Sequence, residues 1–257
     1  MCGRFALITP SESLRQMLDF TNQPHFQPRY NIAPGQSIAI ICQAASVRAC
    51  VNAYWGLIPQ WLKLPLKQSL KQKTKYSPQH NAKGETVHEK PFFKNAYRYR
   101  RCLIPADAFY EWRKSDKQPF CVRRCDQEPF IMAGLWEESV DAKGQKITSC
   151  AIITTQANAA LSPIHARMPV ILESQNWDRW LTTAPQKAER LSELLIPAAE
   201  EDFAAYPISK AVNQLANDNY KLWQQASPQL KEAQLTEAQS TETQLTAEFV
   251  EDETGDK

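Results

Sequence analysis

Hydrophobic residues in this chain fall mainly into short runs rich in β-branched and aromatic side chains. Six such runs are bounded by Pro, Asp, Gly or polar residues, a pattern typical of β-strands. They are SIAIICQ (37–43), RACVNAYWGLI (48–58), DAFYEWRK (107–114), PFCVRRC (119–125), PFIMAGLWE (129–137) and SCAIITTQA (149–157). The stretch from Cys2 to Ile8 has the same extended character. The middle of the chain is therefore predicted to form a β-sheet.

Helical patterns occur toward the ends and edges of the chain. TPSESLRQML (9–18) predicts a helix that is capped by Thr9, carries Pro10 in its first turn and completes a capping box with Glu12. Its apolar stripe consists of Leu14, Met17 and Leu18. Four further helices are predicted at PFFKNAYRY (91–99), ESQNWDRWL (173–181), PQKAERLSELL (185–195) and NQLANDNYKLWQQ (213–225). Because strands and helices do not alternate regularly, we predict an α+β fold with a mostly antiparallel, barrel-like β-sheet and peripheral helices.

Charge is distributed unevenly along the 257 residues, whose formal net charge is +2. Residues 227–257 contain eight acidic and two basic residues, which leaves 28 basic and 20 acidic residues in 1–226, a net charge of +8. The last segment repeats Glu, Gln, Thr and Ala, a composition that cannot bury enough apolar surface to fold. We predict a domain at 2–226 and an acidic, low-complexity, disordered tail at 227–257. A basic domain suits a polyanionic partner, and it equally suits plain solubility.

Composition also bears on compartment and cofactors. No apolar run approaches membrane-spanning length, and no secretory signal precedes the domain, so we expect no membrane partner. Seven cysteines, an odd number scattered through strand-like runs, are expected to be reduced thiols of a cytoplasmic protein. No ligand spacing for a metal and no phosphate-cradling glycine loop occurs, so we expect no metal and no organic cofactor. Nothing suggests a seam for self-association, and a monomer is expected.

The segment MCGRF places a cysteine directly after the initiator methionine. Removal of Met1 would leave Cys2 with a thiol and a free α-amine on adjacent carbons. Their pKa values are ordinarily about 8.5 and about 8, so both groups are partly nucleophilic at neutral pH. Such a 1,2-aminothiol condenses with an aldehyde to an imine, on which the thiol closes a thiazolidine ring. A small buried hydrophobic cysteine is the commoner alternative.

Other side chains are candidates for proton transfer or anion binding. Glu111 lies among aromatic residues in FYEW, where an apolar setting would raise its pKa, although a cross-strand ion pair is equally consistent. His165, in PIHARMP, could exchange a proton near neutral pH or be a core histidine. Arg4 could hold a phosphate or lower the pKa of Cys2, and Arg167 could also bind phosphate.

A predicted turn, a lysine-rich segment and three further histidines also bear on the site. Asn31, Pro34 and Gly35, in RYNIAPG, predict a tight turn that either lines a pocket or is an ordinary turn. The segment 62–79 contains five lysines with little periodicity and is predicted to be a mobile basic loop. His25, His80 and His88 are expected in loops.

Taken together, these segments resemble the SOS-response-associated peptidase (SRAP) family, whose members protect abasic sites in single-stranded DNA. The resemblance covers roughly 2–225, and the combination of Cys2 with an H-x-R-M-P motif is especially specific. The matching segments, in chain order, are MCGRF, RYNIAPGQ, YWGLIPQW, HNAKGET, RCLIPADAFYEW, PFIMAGLWE, AIITTQAN, IHARMPVIL and YPISKAVN.

The resemblance implies a role for each matching residue. Cys2 is expected to capture the ring-opened sugar aldehyde as a thiazolidine crosslink, with Asn81 orienting the sugar or the amine. Glu111 is expected to assist ring opening and proton transfer, and His165 to handle protons at the sugar oxygen. Six residues are expected to contact single-stranded DNA around the lesion: Arg4, Asn31, Pro34, Trp61, Lys83 and Arg167.

The resemblance also has limits. Lys83 stands where relatives commonly carry arginine, which weakens a bidentate phosphate contact. The imine could also lead to strand cleavage as a side lyase activity, and "peptidase" is best understood as self-removal of Met1. Two other functions remain open from the residues alone, an N-terminal-nucleophile cysteine amidohydrolase and a non-covalent single-stranded DNA-binding module.

Overall fold

The computed structural model describes residues 2–44, 46–62, 77–140, 144–182 and 191–226. Most of the predicted basic loop, most of the predicted helix at 185–195 and the whole predicted tail therefore lie outside the described residues. The boundary that we predict between domain and tail stays a prediction.

Strands dominate the described residues. Their bounds are β1 Phe5–Leu7, β2 Arg29–Ile32, β3 Ser37–Ala44, β4 Val47–Trp55, β5 Asn81–Lys83, β6 Arg101–Ala106, β7 Ala108–Trp112, β8 Pro119–Arg124, β9 Phe130–Val140, β10 Lys146–Gln156, β11 Arg167–Pro169 and β12 Phe203–Pro207. The α-helices are α1 Ser11–Leu18, α2 Lys94–Tyr99 and α3 Trp177–Leu181. Short 3₁₀ helices occur at Gly84–Thr86, Ser174–Asn176, Glu200–Asp202, Lys210–Asn213 and Tyr220–Trp223.

Five strands close into a barrel in the order β10-β4-β3-β6-β9, because β9 also pairs with β10. The pairings within it are antiparallel except that of β10 with β4, which is parallel. Because the sheet closes on itself, each of these five strands pairs with a neighbour on both sides, and the barrel has no open edge there. Strands β5 and β11 add to β10, β5 in parallel and β11 antiparallel. The predicted α+β fold with a mostly antiparallel, barrel-like sheet and peripheral helices is confirmed.

A second, antiparallel sheet has the order β12-β8-β7-β1-β2. Strand β7 contains the segment FYEW, and MCGRF leads into the neighbouring strand β1, so this sheet places the start of the chain beside Glu111.

The core of the fold is tightly packed. Trp55 and Trp180 are completely buried, and Phe5 packs edge-on against Trp55 with ring centroids 5.1 Å apart. At Gly134 a Cβ atom would lie 2.6 Å from Ile104 Cδ1 and 2.7 Å from Cys102 Sγ, distances that real contacts do not reach. Glycine at this position therefore permits the close approach of β9 to β6.

Two helix predictions are wrong. The Thr9 side chain does not cap α1, because its Oγ1 donates to Asp107 Oδ1 at 2.5 Å, and Pro10 takes the N-cap position without a side-chain cap. The stretch 213–225 forms no α-helix but contributes to two short 3₁₀ helices, Lys210–Asn213 and Tyr220–Trp223. The apolar stripe predicted for α1 is confirmed in that Leu14 and Leu18 are buried.

Candidate active site

The first residues of the chain reach the site through β1. Phe5 pairs with Phe109 of β7, and the Tyr110 backbone N–H donates to the Arg4 carbonyl at 2.9 Å. This pairing brings Cys2 to the side of Glu111. The Cys2 side chain is completely buried, and its Sγ donates weakly to the Arg4 carbonyl across 3.9 Å.

Asn81 fixes the backbone of Cys2. Its Nδ2 donates to the Cys2 carbonyl oxygen at 2.7 Å. Strand β5 holds Asn81 in place because it pairs in parallel with β10, with Asn81 opposite Ile152. The Oδ1 of Asn81 is buried and accepts no hydrogen bond from the described part of the chain. Asn81 thus anchors one neighbour and presents a buried acceptor for another.

Glu111 and His165 form a polar pair, with 3.8 Å between Glu111 Oε1 and His165 Nδ1. Burial raises the pKa of Glu111, and the nearby His165 ring opposes that rise. The Arg167 backbone N–H donates to His165 Nδ1 at 3.1 Å. Nδ1 also lies 3.1 Å from the Arg167 carbonyl oxygen, so either neutral tautomer of the ring finds a partner in the Arg167 backbone. The pair therefore sets a hydrogen-bonding imidazole beside a buried carboxyl that favours its protonated form.

The Cys2 thiol is held in its protonated form. Burial raises its pKa well above the ordinary value, and the negative charge of Glu111 raises it further. The Arg4 guanidinium is turned toward Asn31 and Val212, and it is the Arg4 backbone carbonyl that opposes the rise in the pKa of Cys2. A reaction at the sulfur must therefore be accompanied by removal of its proton.

Arg4 and Asn31 form an internal brace. Arg4 Nη1 donates to Asn31 Oδ1 and to the Val212 carbonyl, both at 2.7 Å, and its guanidinium lies 5.7 Å from the centre of the Trp112 ring. Asn31 Nδ2 donates in turn to the carbonyls of Val212, Gln214 and Asn217 at 3.2, 3.1 and 2.7 Å. The brace ties β1 and β2 to the segment 212–217.

Arg167 lies beside the same site with its donors largely engaged. It makes a two-pronged contact with Glu85, in which Nη1 reaches Oε1 at 2.5 Å and Nη2 reaches Oε2 at 2.9 Å. Nη2 also donates to the Thr154 carbonyl at 2.6 Å and to Thr154 Oγ1 at 3.2 Å. Lys83 is exposed and lies opposite Thr154 in the pairing of β5 with β10. Two predicted phosphate-binding cations thus flank one carboxylate.

A narrow crevice, too tight to admit a water molecule, lies next to this group. Glu111, His165 and Arg167 line it together with apolar side chains that include Phe109 and Leu161. Glu111, His165 and Arg167 thus share one crevice with these apolar side chains.

Pro34 and Trp61 lie at the surface. Pro34 occupies a turn closed by a 3.3 Å bond from the Gln36 N–H to the Ala33 carbonyl, and Gly35 follows it with φ +87°. This is a type II turn, whose third position favours glycine. Trp61 is 54% exposed and meets Phe92 edge-on at 6.3 Å between ring centroids.

Some residues of the site were missed by the sequence analysis. Glu85 and Thr154 hold Arg167, and the signal for Glu85 lies in HNAKGET itself, four residues after Asn81. His80, expected only in a loop, is in the bend before β5, and burial lowers its pKa. The His80 carbonyl accepts from Trp55 Nε1 at 2.9 Å and from the Ile152 N–H at 3.0 Å. These two hydrogen bonds fix the backbone just before Asn81.

Other kinds of site are not found in the described ranges. Among those residues, no cluster of three or more His, Cys, Asp or Glu side chains could hold a metal ion. None of the helices there combines the length and the apolar character needed to cross a membrane.

Comparison with known proteins identifies relatives over nearly the same length. The family model "SOS response associated peptidase (SRAP)" matches residues 1–215. Abasic site processing protein YoaM of Bacillus subtilis is 36% identical over 228 residues, which cover 86% of this chain and 97% of YoaM. Abasic site processing protein YedK of Escherichia coli is 28% identical over 235 residues, 87% of this chain and 99% of YedK.

Solved structures agree with this result. The crystal structure of a protein from Bacteroides thetaiotaomicron superposes with a TM-score of 0.75 at 26% identity, covering 88% of this chain and all of that one. A protein from Bordetella bronchiseptica gives a TM-score of 0.68 at 28% identity, covering 81% of this chain and all of the other. The structural similarity thus covers most of this chain.

Proposed function

Because this chain belongs to the SOS response associated peptidase (SRAP) family, we propose that it captures abasic sites in single-stranded DNA as a covalent crosslink. The attacking group is the α-amine and thiol of Cys2, which become available when Met1 is removed. Relatives named as abasic site processing proteins support the substrate class. The protein would act as a cytoplasmic monomer, associated with the nucleoid when bound to DNA, and would use no metal or cofactor.

One contact carries the proposal. The 2.7 Å bond from Asn81 Nδ2 to the Cys2 carbonyl fixes the backbone of the attacking residue beside a carboxylate of raised pKa. A structural cysteine in a core needs neither the fixed carbonyl nor the buried proton acceptor next to it. This arrangement favours a reacting role for Cys2 over a packing role.

The first step forms an imine. The amine nitrogen of Cys2 attacks the aldehyde carbon of the ring-opened sugar, and the carbonyl oxygen leaves as water with the two amine protons. We assign to His165 the exchange of protons with the sugar oxygen when the closed ring opens. The Oδ1 of Asn81 accepts no hydrogen bond from the described residues and would accept one from the sugar or the amine.

The second step closes the thiazolidine. The Cys2 sulfur bonds to the imine carbon, the C=N bond becomes a single bond, and the thiol proton ends on nitrogen. Because burial keeps this thiol protonated, a base must carry the proton, and Glu111, whose pKa is raised by burial, is suited to that task. An oriented intramolecular closure can reach effective molarities of about 10⁵–10⁸ M, so the ring should form faster than the strand breaks.

Strand cleavage is the side reaction. Loss of a proton from the carbon next to the imine forms a C=C bond and breaks the bond to the 3′ phosphate oxygen. We propose that this lyase route becomes visible only when ring closure is prevented. Self-removal of Met1 is the peptidase activity that we propose, and the same site would carry it.

The DNA contacts are assigned by the family resemblance and by position. Lys83 and Arg167 lie together along β10 and suit phosphates on one side of the lesion. Trp61 offers an exposed ring on which a base can stack, and the turn at Pro34 lies at the surface. Arg4 and Asn31 form the internal brace and would support the site from the protein interior.

A denaturing gel tests the proposal. The protein is mixed with a single-stranded oligonucleotide that carries one abasic site, and a heat-stable shifted band is expected. An intact oligonucleotide and one with a borohydride-reduced abasic sugar, which lacks the aldehyde, should give none. A passive DNA-binding module or an amidohydrolase would give no band with any of the three. Active protein that retains Met1 or carries an acylated terminal amine in mass spectra would also contradict the mechanism.

A further inference from the structure

Glu85 and Thr154 both accept hydrogen bonds from the Arg167 guanidinium. Thr154 is completely buried and accepts from Nη2 through its carbonyl and its hydroxyl, whereas Glu85 faces solvent with 43% of its side chain exposed. The Arg167 side chain is 15% exposed. Thr154 therefore holds the arginine from inside the protein, and Glu85 covers the side of the guanidinium that an incoming anion would approach.

Charge around Glu85 reinforces this contact. The hydrogen bond from Arg167 lowers the pKa of Glu85, and the charge of Lys83 lowers it further. Glu85 is thus an anion between the two cations that we assign to the DNA backbone. A carboxylate and a phosphate both fit the two-pronged geometry of an arginine, so both compete for the same donors.

We propose that Glu85 is a specificity residue that occupies the phosphate position of Arg167 in the unbound protein and must be displaced when DNA binds. This inference rests on the proposed function. Displacement of Glu85 costs binding free energy at every stretch of single-stranded DNA, damaged or intact. Undamaged DNA cannot offset that cost, whereas an abasic site does so by forming a covalent bond with Cys2. Glu85 therefore weakens the binding of this protein to undamaged single-stranded DNA.

The test compares Glu85→Gln with the parent protein on a fluorescent single-stranded oligonucleotide that has no abasic site. Glutamine keeps the shape and removes the charge, which leaves Arg167 available to phosphate. We expect binding about twofold to fivefold tighter at low salt. The plot of log affinity against log salt concentration should steepen by about 0.7, the value for one more neutralised phosphate on a single strand.

Two controls make this result specific. Glu12 forms a similar two-pronged pair with Arg15 on α1, at 2.8 and 2.7 Å, so Glu12→Gln removes the same charge from a matched pair elsewhere. It should leave the salt slope unchanged. In the double variant Glu85→Gln with Arg167→Gln, the gain in affinity should disappear, because no arginine is then released.

The outcomes separate this inference from the proposed function. An unchanged slope for Glu85→Gln, or an equal gain for Glu12→Gln, overturns the inference alone, provided that the parent protein still forms the crosslink. If the parent protein neither binds nor crosslinks single-stranded DNA, both proposals are wrong.

Discussion

The side-chain amide of Asn81 donates a 2.7 Å hydrogen bond to the backbone carbonyl of Cys2. This bond connects the start of the chain to β5, which is 79 positions away in sequence. It leaves the α-amine of Cys2 outside the contact while fixing the peptide that follows it. The orientation of the attacking group therefore depends on the barrel, through the pairing of β5 with β10.

Asn81→Ala should slow crosslinking because the carbonyl of Cys2 loses its anchor and the sugar loses an acceptor. A lost buried hydrogen bond of about 1–3 kcal/mol corresponds to a rate lower by about 5-fold to 150-fold. Single-turnover crosslinking kinetics measure this effect. Asn22→Ala is the matched control, since Asn22 Nδ2 donates to the Cys50 carbonyl at 2.7 Å in another part of the fold. An equal loss of rate in both variants would contradict a site-specific role.

Cys2→Ala should abolish the heat-stable crosslink and leave some strand cleavage. The alanine still carries an α-amine that can form the imine, but no sulfur is present to close the ring. Denaturing gels of the protein and of the labelled DNA strand read out the two activities separately. A heat-stable adduct recovered from Cys2→Ala would show that the sulfur is not the group that makes the bond permanent.

Glu111→Gln should slow ring closure by about a hundredfold or more, the usual contribution of a general base. In the parent protein, the rate should increase as pH rises through the raised pKa of Glu111, because only the ionised carboxylate can accept the thiol proton. The variant should lose that inflection. The pH dependence of the single-turnover rate decides the matter, and an inflection that survives in Glu111→Gln would assign the base to another group.

The same substitution should stabilise the fold. The pKa of Glu111 is higher in the folded state than in the unfolded state, so the folded protein favours the protonated form. The free-energy cost of ionising the buried carboxyl increases as pH rises from the unfolded pKa to the folded pKa and is constant above it. Glutamine resembles the protonated form and avoids this cost. Chemical denaturation should therefore show a stability gain for Glu111→Gln at pH 7 that vanishes at pH 3, and a gain independent of pH would contradict this reasoning.

The strand pattern predicts most of the barrel because its strands are long, apolar and bounded by turn residues. β6 was missed since all its residues, Arg101–Ala106, are buried, so it shows no alternation of polar and apolar positions, and it contains Pro105. β5 and β11 have three residues each and exist through their pairing with β10, a long-range interaction that no local pattern encodes.

The wrong helix at 213–225 has a similar cause. Its sequence has helical periodicity, but the carbonyls of Gln214 and Asn217 accept from Asn31. The Asn219 side chain accepts from the Lys221 N–H, which starts a separate 3₁₀ turn. Asparagine side chains compete with helical hydrogen bonds in this way. Local sequence identifies the motif residues, whereas their partners, such as Glu85 for Arg167 and the 212–217 segment for Asn31, depend on the folded structure.

Asp107 holds the turn that follows β1, and its removal should destabilise the whole protein. The carboxylate is 4% exposed and accepts three hydrogen bonds, from the Ile8 N–H at 2.6 Å, the Thr9 N–H at 2.9 Å and Thr9 Oγ1 at 2.5 Å. Asp107→Ala leaves two partly buried backbone donors without their acceptor, so the free energy of unfolding should fall by about 3 kcal/mol. Thr9→Val removes only the hydroxyl bond and should cost about 1 kcal/mol. Urea denaturation monitored by tryptophan fluorescence measures both. Equal losses in the two variants would mean that the hydroxyl, and not the pair of backbone donors, carries the contribution of Asp107.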